Sequence, residues 1–211
     1  MGLPNFYLGL SGHLDIAPDD LLELEFFLTK KFIIFSEKLY GYSQPVLVTG
    51  LARGSDQLGA LCALKAGWRI KAVLPFPRDI YIKSEDFENH YKEKNIFSEL
   101  LQHCNDDVIE LISPSSQLDA DISNLIDQSY RNQSHYIATM CDAVMVLWDG
   151  VAFQAGGCGT SYVIYALNHK YKNMDQDLLP LEIIPIRRVT SDLPAPDRNI
   201  NWSKGFDQFF I

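Results

Sequence analysis

Three glycine-bearing segments of this chain carry residue types that recognise anions: Ser11-Gly12-His13, Gly50-Leu51-Ala52-Arg53-Gly54-Ser55-Asp56 and Gly156-Gly157-Cys158-Gly159-Thr160. Glycine allows a tight turn and a close approach of backbone to ligand. A helix start adds N–H groups with no partner inside the helix, together with the positive end of the helix dipole, and both attract phosphate. Arg53 offers a bidentate cation, Thr160 a hydroxyl and His13 a ring nitrogen. Each segment also has a plainer reading. Gly50 and Gly54 suit a tight turn with no ligand, Asp56 suits a helix cap, Arg53 a surface position, His13 a structural hydrogen bond, and Gly156–Gly159 a connecting turn. Three such segments at corresponding places in the chain point to one shared site.

The correspondence lies in the elements that precede them. Phe6–Gly12, Val46–Thr49, Ile70–Leu74, Val108–Ile112, Ala143–Trp148 and Glu182–Ile186 are short apolar runs and read as strands. Between them, 18–39, 55–66 (closed by Gly67), 85–103, 122–140 and 160–172 have the spacing of amphipathic helices. Ser113–Ala120 is polar and reads as a loop. Strands that are apolar throughout are covered on both faces, and strand–helix alternation implies parallel strands joined by right-handed crossovers. The expected fold is α/β: a Rossmann-like three-layer sandwich with a mostly parallel sheet of about six or seven strands, in one domain over residues 1–211. From about residue 190 the tail loses periodicity and should pack irregularly through Trp202, Phe206, Phe209 and Phe210. In open sheets of this kind ligands bind beyond the carboxyl ends of the strands, where all three segments fall.

Composition limits the partners. Lys and Arg total 18 against 27 Asp and Glu, a net charge of −9. An acidic surface repels phosphate backbones and no basic stripe is present, so nucleic acid is not expected as a partner. No apolar run approaches the roughly 18 residues of a membrane span, and the start lacks the pattern of a signal peptide. Four cysteines with no CxxC pair fit a reducing compartment, so the expectation is a cytoplasmic protein without membrane contact. His90, His103, His135 and His169 lack metal-ligand spacing, and neither GxSxG nor HExxH occurs. No metal and no cofactor are expected. Cys158 sits where a helix start would lower its pKa, but a small residue filling a turn explains it as well. Phe76, Tyr81 and Trp148, near strand ends, suit either stacking on a base or ordinary packing.

The segment Val46–Asp56, followed by Ala60, Ala63, Leu64 and Gly67, resembles the nucleotide-binding core of the DprA family. Leu147 with Gly156–Thr160 resembles the phosphate-binding turn of the LOG (lonely guy) and lysine-decarboxylase-like proteins. Taken with Ser11-Gly12-His13, Leu74–Pro77, Asp86, Phe87, Cys141, Asp142 and Leu147–Gly150, the pattern is similar to the wider SMF/DprA–LOG (SLOG) superfamily over roughly residues 5 to 170. The resemblance implies a Rossmann-like fold whose glycine turns hold nucleotide phosphates, and assembly as a homodimer. Members of that superfamily cleave the N-glycosidic bond of nucleoside monophosphates, sense ADP-ribose-like ligands or, in DprA, bind single-stranded DNA.

Two departures matter. The LOG motif carries a glutamate three residues beyond its threonine, and here that residue is Val163. Near the place of a LOG helix arginine stands Gln133, with Arg131 two residues earlier. A glycosidase needs a carboxylate at the reacting centre, which valine cannot supply. Asp86 and Asp149, matching the superfamily pattern, are the alternative catalytic carboxylates. The expected ligand-binding residues are Ser11, Gly12, His13, Gly50, Ala52, Arg53, Gly54, Asp56, Gly156, Gly157, Gly159 and Thr160. The expected function is binding or sensing of a nucleoside phosphate or ADP-ribose-like ligand. The alternatives are a nucleotide N-glycosidase and, behind it, DprA-like single-stranded DNA binding.

Overall fold

The computed structural model describes residues 3–42, 44–111, 122–151, 159–189, 196–199, 201 and 203–209, with the side chains of 122–124 excepted. The strands are β1 (Phe6–Gly12), β2 (Pro45–Thr49), β3 (Arg69–Leu74), β4 (Val108–Glu110), β5 (Ala143–Trp148) and β6 (Leu181–Pro185). They form one sheet in the order β4-β3-β2-β1-β5-β6, and every pairing is parallel. The helices are α1 (Leu21–Lys38), α2 (Ser55–Lys65), the single turn α3 (Arg78–Tyr81), α4 (Tyr91–Cys104), α5 (Ile122–Met140) and α6 (Thr160–Lys170).

Strands β1 to β4 step outward in one direction, so α1, α2 and α4 share one face. The chain then crosses back through α5 to β5, which puts α5 and α6 on the other face. Each face has its own apolar core. One gathers Leu8, Leu10, Phe32, Phe35, Trp68 and Phe97 beneath α1, α2 and α4. The other gathers Val48, Val73, Ile137, Val144, Val146 and Val163 beneath α5 and α6. This is the three-layer α/β sandwich expected from the alternation of apolar strands and amphipathic helices. Because the strand order reverses between β1 and β5, their carboxyl ends diverge there and open a crevice, the usual ligand position in such sheets.

Several boundaries differ from the sequence reading. Helix α1 begins at Leu21, because Asp20 is drawn into a buried cluster where it accepts from the Arg187 amide at 3.2 Å and from the Arg198 guanidinium at 2.5 Å. The helix expected over 85–103 is broken: α4 starts at Tyr91, after a 3-10 turn over Glu85–Phe87 and a left-handed Asn89 (φ 59°). Burial of Phe87 and Tyr81 fixes that turn and carries Asp86 to the sheet edge. The polar stretch 113–120 lies outside the described residues.

In the tail, Lys204–Phe209 form a 3-10 helix whose Phe206 and Phe209 meet each other at 6.1 Å and the rings of Phe35 and Phe6 at 5.8 and 5.0 Å. Trp202 and Phe210 lie outside the described residues. A buried ion pair adds what the periodicity did not show. Lys31 meets Glu182 at 2.5 Å and donates to the carbonyl of Asn201, while Glu182 also accepts from the Ser203 amide.

Candidate functional site

A cavity of about 430 Å³ lies at the carboxyl edge of the sheet, lined from the loops after β1, β2, β3 and β6 and from the facing parts of α5 and α6. That volume is within the roughly 300–1,000 Å³ of small-molecule sites. Of the residues singled out in the sequence, Ser11, Gly12, His13, Ala52, Arg53, Asp56, Asp86, Gly159 and Thr160 line it. Gly50, Gly54 and Asp149 do not line it. Gly156 and Gly157, with Cys158, lie outside the described residues.

The first two glycine segments are stitched to each other. The Ser55 amide donates to the His13 carbonyl at 3.1 Å, and Arg53 donates to the Leu14 carbonyl at 3.0 Å. Gly12 and Gly54 permit this contact. A Cβ on Gly12 would fall 2.3 Å from Ser55 Cβ, and one on Gly54, whose φ is +80°, would fall 2.3 Å from the Leu14 oxygen. The Gly50 amide donates to Asp56 Oδ2 at 3.1 Å, and the Ala52 amide also donates to that carboxylate. The turn between β2 and α2 thus holds a carboxyl group already, the chain's own Asp56. The Gly50 amide, expected on a ligand phosphate, is satisfied internally.

The start of α6 is arranged differently. Gly159 precedes it with φ +73° and no side chain caps the helix. The amides of Tyr162 and Val163 both turn back to the Gly159 carbonyl, but those of Thr160 and Ser161 have no partner among the described residues. Both residues line the cavity. Arg53 lines the same cavity, and its buried Nε has no hydrogen-bond partner among the described residues.

Electrostatics divide the cavity by protonation state. Burial pushes the Asp56 pKa up to about 7 against the pull of its backbone donors. Burial likewise raises that of Asp86, opposed by the Tyr130 hydroxyl, which donates to it at 2.7 Å, and by Arg53. Asp149 behaves oppositely. Burial pushes its pKa up, but the Val151 amide, His13 and Arg188 outweigh that and hold it below the usual value. Asp86 therefore sits in the cavity as a weak acid, whereas Asp149 is a fixed anion set behind His13. Arg188 also pairs with Asp15 at 2.8 Å, so two of the four neighbouring carboxylates have a cation partner. The other two are biased toward their neutral forms.

Leu14, Asp15, Tyr81, Tyr130, Gln133, Ser161 and Arg188 also line the cavity. The sequence reading offered Tyr81 for stacking on a base or for packing, noted Gln133 near the place of a LOG helix arginine, and assigned the others no ligand-binding place. Arg188 follows a strand and was legible on that ground. Tyr130 and Gln133 come from mid-helix positions of α5, where no turn marks them. Gln133 donates to the Val73 carbonyl at 2.7 Å and so ties α5 to the end of β3. Val163 is fully buried in the core beneath α6, where it serves as a packing residue.

No protein-family model and no curated protein matches this chain. Among the solved structures similar to it are two described as DNA processing protein A. DNA processing protein A from Helicobacter pylori, described by its unique single-stranded DNA binding mode, is 17% identical, with 98% of this chain and 71% of that one covered and a TM-score of 0.49. DprA from Streptococcus pneumoniae is 13% identical, with 87% of this chain and 59% of that one covered and a TM-score of 0.41. The expectation that nucleic acid is not a partner is corrected by the first of these. That protein is described by its binding of single-stranded DNA. Among the described residues no helix is long and apolar enough to cross a membrane.

Proposed function

We propose that this protein binds a nucleoside phosphate or an ADP-ribose-like derivative in the cavity at the sheet edge, with phosphate at the start of α6. The observation that supports this most is that Thr160, Ser161 and Arg53 all line the cavity while the Thr160 and Ser161 amides and Arg53 Nε have no partner among the described residues. An anion there gains the helix-end amides, the positive end of the helix dipole and a charged donor together. Tyr81 and Tyr130, with the weak acid Asp86, form the opposite wall, which offers aromatic surface and polar groups to a sugar or base.

The test is a melting-temperature panel with AMP, ADP, ADP-ribose, inorganic phosphate and a short single-stranded oligonucleotide. A ligand at 100 times its Kd should add about 2.7 kcal/mol of stability. A nucleotide shift that is lost in Arg53→Ala supports the reading. Absence of any nucleotide shift at millimolar concentration, with the oligonucleotide stabilising the protein instead, refutes it in favour of a polymer ligand.

A further inference from the structure

One cluster in the cavity wall has no part in anchoring a phosphate. His13 Nε2 lies 3.1 Å from Asp149 Oδ1, the other Asp149 oxygen lies 3.6 Å from Arg188, and Arg188 is gripped by Asp15 at 2.8 Å. Loops after three adjacent strands, β1, β5 and β6, converge to build it. Only 7% of the Asp149 side chain is exposed and it does not line the cavity, whereas His13 does. The charge of Asp149 is therefore felt in the cavity through the imidazole. A carboxylate beside Nε2 favours the tautomer with its proton there, which leaves Nδ1 to accept one. Burial, the largest influence, holds the His13 pKa below its ordinary value despite Asp149, with Arg188 acting in the same direction as burial and Asp15 against it. The ring is neutral at pH 7, as a base must be. The Nε2–Asp149 contact has the distance but not the angle of a hydrogen bond, a looseness common before substrate binds.

We propose that this cluster makes the protein a hydrolase of nucleotide phosphoanhydrides, with His13 as general base and Asp149 and Arg188 as its positioning residues. The proposal rests on the nucleotide reading above and adds a reaction to it. Water attacks a phosphorus of the bound diphosphate. Its oxygen forms the new P–O bond as its proton passes to His13 Nδ1. The bridging P–O bond breaks, and its electron pair leaves on the departing phosphate, which needs no proton to depart. The imidazolium then releases its proton to solvent. The arrangement favours this bond over an N-glycosidic one. In the order of the sheet, His13 stands at the β1–β5 crevice with the α6 amides, while the weak acids Asp56 and Asp86 belong to the loops after β2 and β3. Asp86 is moreover already engaged by Tyr130.

The experiment incubates the full chain with ADP or ADP-ribose in ¹⁸O-water, follows AMP and product phosphate, and records the melting temperature with the same ligands. Turnover with one ¹⁸O in a product phosphate is expected. His13→Gln should lose a hundredfold or more in rate while keeping the ligand-induced melting shift, and imidazole should partly rescue His13→Ala. Asp149→Asn removes the charge that raises the His13 pKa, so the acid limb of its pH–rate profile should move to lower pH; a merely structural role would not move it. Should the His13 variants fail to fold, that profile decides. A melting shift without turnover, or His13→Gln turning over at the wild-type rate, overturns the hydrolase and leaves nucleotide binding standing. Neither shift nor turnover overturns both.

Discussion

The turn from β2 into α2 and the turn into α6 both place a positive-φ glycine immediately before a helix, yet they are built to opposite ends. The first is closed. Its Gly50 and Ala52 amides surround Asp56, its Ser55 amide and Arg53 guanidinium bind carbonyls of the neighbouring loop, and Gly54 is in contact with that loop. It even holds Leu51, fully buried, in a left-handed conformation (φ 57°) that an L side chain adopts only at a cost. The second turn leaves the first two amides of α6 without partners among the described residues, and a Cβ on Gly159 would meet nothing within 4 Å. Glycine before a helix thus serves stability in one place and availability in the other. The difference lies in what the rest of the fold brings against the turn.

The largest break in this comparison should come from Gly54→Ala. A methyl group at φ +80° and 2.3 Å from the Leu14 oxygen forces the two loops apart. Chemical denaturation should show a loss of about 3–5 kcal/mol, at the upper end for one substitution. A loss below about 1 kcal/mol, the range expected for strain alone, would mean that the two loops are not locked together.

Asp56 gives the next effect, and its sign follows from linkage. Its folded pKa of about 7 stands above the ordinary value of 3.8, so the folded state holds this proton more tightly than the unfolded chain. The stability it contributes is fully present below pH 3.8 and is lost as pH rises through about 7. In Asp56→Asn this loss between pH 4 and 8 should shrink by on the order of 2 kcal/mol, read from denaturation midpoints across that range. An unchanged slope would show that the closed turn holds Asp56 as an ordinary, readily ionised carboxylate.

Gly159→Ala should cost only about 1 kcal/mol, the strain of a positive φ without a clash. A cost approaching that of Gly54→Ala would erase the contrast between the turns. The smallest stability change belongs to Ser161→Asp. A carboxylate in the first turn of α6 should stabilise the free protein by about 0.5 kcal/mol through the helix dipole. The same substitution should abolish the melting shift given by phosphate ligands, because the anion position is then taken. Unchanged ligand shifts would move the phosphate away from α6.

The sequence by itself determined the strands, most of the helices and the sheet edge at which the site would lie. Those features depend on local periodicity and on punctuation by glycine and proline, which short stretches carry completely. The places of His13 and Thr160 on the cavity were legible for the same reason, since His13 directly follows β1 and Thr160 opens α6, while Ser11 ends up inside β1 and Arg53 in the turn between β2 and α2. Tertiary structure alone decided what each group faces. It decided that Asp56 fills the cradle its own turn makes, that Asp149 sits behind His13 with Arg188, that Val163 belongs to the core, and that Tyr130 and Gln133 reach the cavity from the middle of a helix. Asp56 takes its donors from its own turn, but the others depend on partners distant in the chain, such as Asp149 for His13 or Val73 for Gln133. Burial and pairing across such separations set a carboxylate's charge, and neither exists until the layers have packed.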